Sequence, residues 1–503
     1  MSRSTISPEL LASPFAASHS LSGLTIELLP LLVQLGGLIV PFMKGLITPA
    51  AGHAFETALD RLLREAGRVI VAWVYNRLES EDPDHAAPLL SFEGSLFRRR
   101  DRSPRRCGIA TLFGIITFWR IRYEPCDAGL GLASIFPLEM RLGIVAGKAT
   151  PALANRVGVL TAQYTQETVR RLLAEEQGVS WSVETLRKVA ADLSSGLAPL
   201  RHDAQVQEVL SWLQKAQDSK GPHRPVLTVG RDGIFMPMTK DTKYREGATA
   251  TVAVLDRRGQ RLGTVYLGHM PEPGQGTLTQ QLTDLLRAVL NAWQGPLPRL
   301  QYVTDAGDHP TKFFETVLQP MLHPRTNQKL QWEWVLDYYH ACLYLTKMAE
   351  ALFGKETRDA ASWAAKMRRW LRDKRHGIFR VLHSAAAHAA QMEWAKEDRK
   401  KYDDAYEYLR KRMDLMDYCS YRRRGLAIGS GITEAACKIL FAQRFKQSGM
   451  KWSLEGGQVV VDLRVIWLSK VWDKVYASYL SQLPQVQLGT NDADEEIPCE
   501  MAA

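Results

Sequence analysis

Apolar and polar positions change rhythm several times along the chain. From 53 to 78 the residues Phe55, Leu59, Leu62, Leu63, Val69, Ile70, Trp73 and Val74 recur at three and four, which predicts an amphipathic helix. Between about 105 and 142 the period shortens toward two, and 109–123 predicts a hairpin of two strands. Residues 150–196 return to helical spacing. Within them a run at 164–173, a turn at Gly178 and a second run from Ser182 carrying Arg187 and Lys188 have the layout of a helix-turn-helix. An ordinary antiparallel helix pair leaves the same pattern. A polar stretch, 217–224, then precedes strand signals at 226–230, 248–255 and 261–267, joined by tight turns as an antiparallel meander. A helix at 277–293, a strand at 300–304, a short helix at 313–318 and a strand at 332–336 complete the order expected of a mixed α/β sheet.

From 341 to about 418 no strand signal remains, and Ala, Lys, Arg and Glu dominate a block of about eighty residues that reads as helical. A basic, glycine-containing loop at 422–431 follows, then helices from 432 to 480 with a turn near Gly456-Gly457. A sheet is thus expected to be interrupted by helices and completed afterwards. The apolar run 28–43 contains two prolines and Gln34 between Glu27 and Lys44, and it falls short of the roughly twenty residues a membrane span needs. It reads as a buried or interface helix, not as a membrane span or signal peptide. The Ser/Ala/Pro-rich residues 1–20 and the acidic stretch from 491 are expected to be loose.

The pattern divides the chain into a helical N-terminal region (1–100), a small β-containing region (101–150) and a helical region with the helix-turn-helix layout (151–222). A sheet-bearing core (223–340), a helical insertion (341–428), the completion of the core (429–483) and an acidic tail (484–503) follow.

Composition narrows the function classes. At 503 residues with 46% apolar and 23% charged residues, this is an ordinary globular chain of two or three domains. The 64 Lys and Arg against 54 Asp and Glu give a net charge of +10, which suits a polyanionic partner. The basic residues also cluster, at 98–106, 368–375 and 422–424 and at Arg444, Lys446 and Lys451, with aromatics such as Trp370, Tyr421 and Trp452 among them. That mixture suits phosphate contact with base or sugar stacking, although solvated helix faces look the same. Six cysteines without a C-x-x-C pair argue for a reducing, cytoplasmic setting, and Cys126 alone does not make a zinc ribbon.

Three acidic residues stand out. Asp232 is expected to end the first core strand, Asp305 to end the fourth, and Glu434 to open the helix after the insertion. Carboxylates at neighbouring strand ends repel unless cations lie between them, and magnesium is held by one or two carboxylates plus phosphate oxygens. Two such ions would stabilise both oxygens of an in-line phosphoryl displacement. Each acid also has a plainer reading: Asp232 and Asp305 sit in turn sequences, Asp308 competes with Asp305, and Glu434 complements the positive end of its helix.

In this order on this strand pattern, the residues resemble the DDE-type transposases of bacterial insertion sequences. The matching pieces are Val229-Gly-Arg-Asp232-Gly-Ile-Phe, Tyr302-Val-Thr-Asp305-Ala-Gly-Asp-His, Asp337-Tyr-Tyr-His340 and Ile432-Thr-Glu434-Ala-Ala-Cys-Lys, with the tract from Arg444 to Gly456 behind them. The resemblance covers about 225–475 and the first two hundred residues only in outline. It implies a ribonuclease-H-like catalytic domain with an all-helical insertion. It also implies two Mg2+ or Mn2+ ions held by Asp232, Asp305 and Glu434, and His340 at the scissile phosphate or else bonded within the core. The reaction implied is phosphodiester hydrolysis at transposon ends, followed by strand transfer into target DNA. Arg187, Lys188, Arg424, Arg444, Lys446, Lys451 and Trp452 are the expected DNA contacts, with core packing the other reading of Trp452. Terminal inverted repeats and target DNA, a homodimer or larger assembly on DNA, no membrane, and a nucleoid-associated cytoplasmic location complete the expectation. A metal-dependent nuclease or resolvase of the same fold, or a domesticated DNA-binding protein without catalysis, are the alternatives.

Overall fold

The computed structural model describes residues 21–79, 82, 86–100, 105–127, 129, 131–239 and 243–483. The segments expected to be loose, 1–20 and 484–503, lie outside the described residues, as do Arg102 and the side chains of Arg105 and Arg106 in the first basic cluster. The chain forms two compact units: residues 1–156, 167–189 and 483–503, and residues 157–166 and 190–482.

The first unit opens with α1 (Ser22–Lys44) and α2 (Pro49–Tyr75), a hairpin in which Phe42 stacks on Phe55 with ring centroids 4.4 Å apart. Thr48 caps α2 by accepting from Ala51 N–H at 3.1 Å. No residue of α1 is buried, which overturns the expectation that 28–43 lies in a core, and Pro30 and Pro41 do not end the helix. Among the described residues α1 is the one helix long and apolar enough to cross a membrane.

Strands follow: β1 (Leu89–Phe92), β2 (Ser95–Arg99), β3 (Arg105–Thr111), β4 (Gly114–Arg120) and β5 (Tyr123–Pro125). The expected hairpin is β3–β4, closed at Thr111 opposite Gly114. A separate sheet of order β1-β2-β5 begins inside the region expected to be helical. Its first strands, of four and five residues, are too short to carry a readable period, and Glu93-Gly94 turns between them with φ of 49° and 75°.

The helices α3 (Pro137–Arg141), α4 (Pro151–Gln163), α5 (Gln166–Gln177), α6 (Val183–Leu197) and α7 (Arg201–Asp218) come next. Between α5 and α6 the chain turns at Gly178 (φ 65°), where Val179 N–H bonds Leu173 C=O at 3.0 Å. The hydroxyl of Ser182 then accepts from Thr185 N–H at 3.1 Å to start α6. The helix–turn–helix connection is therefore formed, with Arg187 and Lys188 exposed on its second helix.

The second unit is built on a five-stranded sheet: β6 (Val226–Met236), β7 (Arg245–Leu255), β8 (Arg261–His269), β9 (Arg299–Thr304) and β10 (Trp332–Leu336) in the order β10-β9-β6-β7-β8. β6–β7 and β7–β8 pair antiparallel, β6–β9 and β9–β10 parallel. α8 (Gly276–Ala292) and α7 bury Leu282, Leu286, Val209 and Trp212 against Leu227, Val229 and Val252 on one face. α7 thus belongs to this core and not with the region expected to bind DNA. Its apolar stripe needs the sheet, and Gly263 leaves room for the Trp212 ring. α9 (Asp308–Phe313) runs on into a π-helical turn at Phe314–Leu318.

The helical insertion comprises α10 (Tyr338–Phe353), α11 (Arg358–Asp373), α12 (Gly377–Ala389), α13 (Lys396–Lys411) and α14 (Tyr418–Arg423). Its core, including Leu345, Trp363, Met367 and Leu409, is continuous with Val303, Val335 and Leu336 of the sheet. α15 (Gly431–Cys437), α16 (Gln443–Phe445), α17 (Leu454–Leu468) and α18 (Trp472–Gln482) close the unit, so the sheet expected to be completed after the insertion is already complete at β10 and helices alone follow among the described residues. The break expected at Gly456-Gly457 falls earlier, at 446–453. Ser453 caps α17 through Gly456 N–H at 3.1 Å, and Gly457 lies against Met270 where a side chain would not fit.

Candidate active site

Strand β6 alternates its side chains between two faces. Arg231 points to α8, donating to Thr279 Oγ1 and Gln275 Oε1 at 3.0 Å each, while Gly230 and Asp232 point to α15. Asp232 does not end its strand: β6 continues to Met236, with Asp232 opposite Thr249 of β7. Glycine at 233 weakens the apolar run, which is why the strand's second half is hard to read.

Asp305 follows β9. The parallel pairing of β6 with β9 ends at Val229 opposite Tyr302, and Asp232 and Asp305 each lie three residues beyond that pair. The loop after Asp305 is fixed from two directions. Its own carboxylate accepts from Gly307 N–H at 3.0 Å, and Ala306 adopts φ 55°. The insertion supplies the rest: Tyr408 OH donates to Asp305 C=O at 2.7 Å, and Arg412 donates to Ala306 C=O at 3.2 Å.

Glu434 comes from α15, which lies across β6. A Cβ at Gly230 would collide with Thr433, so the glycine permits the close approach. Thr433 Oγ1 meets Thr251 Oγ1 at 2.8 Å and fixes the helix. One turn after Glu434, Cys437 donates its thiol to Asp232 Oδ2 across 3.3 Å. The three acids, 73 and 129 positions apart in the chain (305 − 232 and 434 − 305), are thereby brought into electrostatic range. Burial, with a smaller push from the negative charges of Asp305 and Glu434, raises the Asp232 carboxyl to about 6. Bonds from Gly233 N–H and Cys437 oppose that rise.

Asp337 is buried and caps α10: Oδ1 accepts from His340 N–H at 2.7 Å, and Oδ2 accepts from both the N–H and the hydroxyl of Ser430. The Ser430 hydroxyl also lies 3.3 Å from Glu434 Oε1. The helix expected from about Ala341 therefore starts at Tyr338, because Asp337 supplies the cap. Asp337 thereby ties the loop of Glu434 to the end of β10. His340 stands part-buried at the start of α10, its ring 5.5 Å from Tyr344 and 5.8 Å from Tyr408, which themselves stack at 3.6 Å.

The basic tract resolves into two classes. Lys446 and Lys451 are exposed, as expected of phosphate contacts. Arg424 is paired with Glu333. Trp452 takes the core reading: it is buried, its ring lies 4.4 Å from that of Phe445 at a tilt of 37°, and it donates to Phe445 C=O at 3.1 Å. Arg444, expected to contact DNA, is only 1% exposed and lies 5.0 Å from the Trp452 ring. Helical spacing from Phe441 turns it inward with the apolar residues.

Several neighbours were not singled out from sequence. Cys437 carries a readable signal, since it shares the helix face of Glu434 at a spacing of three. Ser430 and the Glu246–His309 pair (3.9 Å) beside Gly233 carry none. Among the described residues no group of three or more His, Cys, Asp or Glu side chains is arranged to hold a metal ion. The donor chemistry of the acids fits a hard divalent cation nonetheless: they are all-oxygen ligands, and the charged neighbours that shift Asp232 are both negative. No protein-family model and no curated protein matches the chain.

Proposed function

We propose that this chain is a DNA transposase that hydrolyses phosphodiester bonds at transposon ends and joins the freed strands to target DNA. The observation that carries the reading is the convergence of Asp232, Asp305 and Glu434: burial raises the Asp232 carboxyl most, and the charges of Asp305 and Glu434 add to the rise. The strand order β10-β9-β6-β7-β8, with β7 antiparallel to β6 and β8, with β9 and β10 parallel to β6, and with a helical insertion after the last strand, supports a ribonuclease-H-like core.

Asp232, Asp305 and Glu434 would hold Mg2+ or Mn2+, which when bound supplies Lewis-acid stabilisation of the reacting phosphate. The remaining work falls to the chain. Asp337 and Ser430 hold Glu434 in place, and Tyr408 and Arg412 hold the Asp305 loop. Lys446 and Lys451 between α16 and α17, and Arg187 and Lys188 on the helix-turn-helix, provide exposed charge for DNA phosphates.

Purified protein with magnesium is expected to nick DNA carrying the terminal repeats of its own element and to join the ends to a target plasmid. Asp232→Ala, Asp305→Ala and Glu434→Ala should each abolish both products. Cleavage retained in all three variants would remove the acids from the reaction, and nicking without joining would favour a nuclease.

A further inference from the structure

We propose that α1 is a pairing surface for a second copy of this chain. Nine large apolar side chains between Leu21 and Ile47 are each at least 49% exposed. At roughly 60–120 Å² of apolar area per fully exposed side chain, they offer on the order of 500 Å² or more, approaching one side of a standard protein interface. A monomer rarely leaves such an area to water.

The helix has two seams. Leu24, Leu28, Leu31, Leu35 and Phe42 are half-buried along the α2 side. On another face Ile26, Leu29, Val33, Gly36, Val40 and Met43 recur at alternating intervals of three and four, and the five with side chains are 49–75% exposed. That is a heptad seam with β-branched residues at one core position and Leu, Gly and Met at the other, a pattern that favours two strands. A Cβ at Gly36 would meet nothing within 4 Å, so a partner helix has room there. Pro30 and Pro41 lie off the seam. Because the seam is complementary to itself, a second copy is the occupant it fits.

A bilayer fits less well. α2 follows α1 along its length, from the Phe42–Phe55 stack at one end to Gly23 beside Trp73 and Arg77 at the other. Inserting α1 would carry Glu56, Asp60, Arg61, Arg64, Glu65 and Arg68 of α2 to the same depth, each at a large cost.

Sedimentation velocity of the full-length protein without DNA tests this. A dimer is expected at low micromolar concentration. Val33→Glu/Val40→Glu should shift it to monomer with an unchanged far-UV circular dichroism spectrum, since neither side chain is in a core. Gln34→Glu, off the seam, should remain dimeric. A monomeric wild type, or a dimer indifferent to the double substitution, overturns the proposal. Monomeric protein that binds phosphatidylcholine–phosphatidylglycerol vesicles, and loses that binding in the double variant, overturns it in favour of a membrane. DNA is absent throughout, so failure here says nothing against the transposase reading.

Discussion

Cys437 donates its thiol to Asp232 across 3.3 Å, and this bond favours the ionised carboxylate in a place where burial and two negative neighbours oppose it. Burial and the Asp232 charge push the thiol itself up, so it stays a proton donor. Cys437→Ala should therefore move the Asp232 pKa above its value of about 6. A rise of about half to one unit predicts roughly a 1.5- to 3-fold loss of magnesium-dependent nicking at pH 6.5, with near-normal rates at pH 8. Parallel pH–rate profiles for the two proteins would sink this role for the thiol.

Asp232 also makes stability depend on pH. Its folded pKa of about 6 lies above the ordinary 3.8, so the stabilisation it gives is full below about pH 4 and is lost as pH rises through 6. The loss by pH 7.5 is up to about 3 kcal/mol, at about 1.4 kcal/mol per unit. Asp232→Asn, which carries no charge, should raise the melting temperature at pH 7.5 in EDTA and leave it unchanged at pH 4. Added Mg2+ should stabilise the wild type and not the variant. Equal melting temperatures at pH 7.5 would contradict the assigned burial and repulsion.

What sequence could show follows from the range of the forces involved. The five core strands and the helical insertion were legible because each carries its own period over five or more residues. Asp232, Asp305 and Glu434 were legible because they punctuate those periods. The continuation of β6 past Gly233, the start of α10 at Tyr338 and the short sheet β1-β2-β5 were not. Each depends on a partner far along the chain or on a single cap. Arg444 was misread because a charged residue was taken to face water. Its helical spacing from Phe441 puts it on the face that packs into the cluster with Trp452 and α17, and that packing is not visible in the local sequence.

Asp337 links two segments 93 positions apart through Ser430 and caps α10 through His340 N–H. Asp337→Ala removes both acceptor oxygens, and with them three hydrogen bonds, and should cost about 2–4 kcal/mol in urea unfolding. Ser430→Ala, which frees only one of the two Ser430 donors, should cost about 1 kcal/mol. A double substitution costing less than the sum would establish the coupling. Strict additivity would show that the contact contributes nothing to holding Glu434.

Arg444 and Arg464 are both buried, yet they differ in what surrounds them. Arg464 donates to the carbonyls of Ile439, Leu440 and Ala162. None of the three Arg444 nitrogens has a hydrogen-bond partner, and burial followed by the Arg464 charge pushes its pKa down to about 10. A buried charge without partners destabilises the fold, and an apolar side chain of similar volume relieves it. Arg444→Met should therefore stabilise the protein by about 1–3 kcal/mol, whereas Arg464→Met should destabilise it by about 2–4 kcal/mol because carbonyls lose their donors. Midpoints and slopes of urea unfolding measure both. If Arg444→Met destabilised the protein as much as Arg464→Met, the guanidinium would have to be bonded in solution, and the stacked position on Trp452 would not be its resting state.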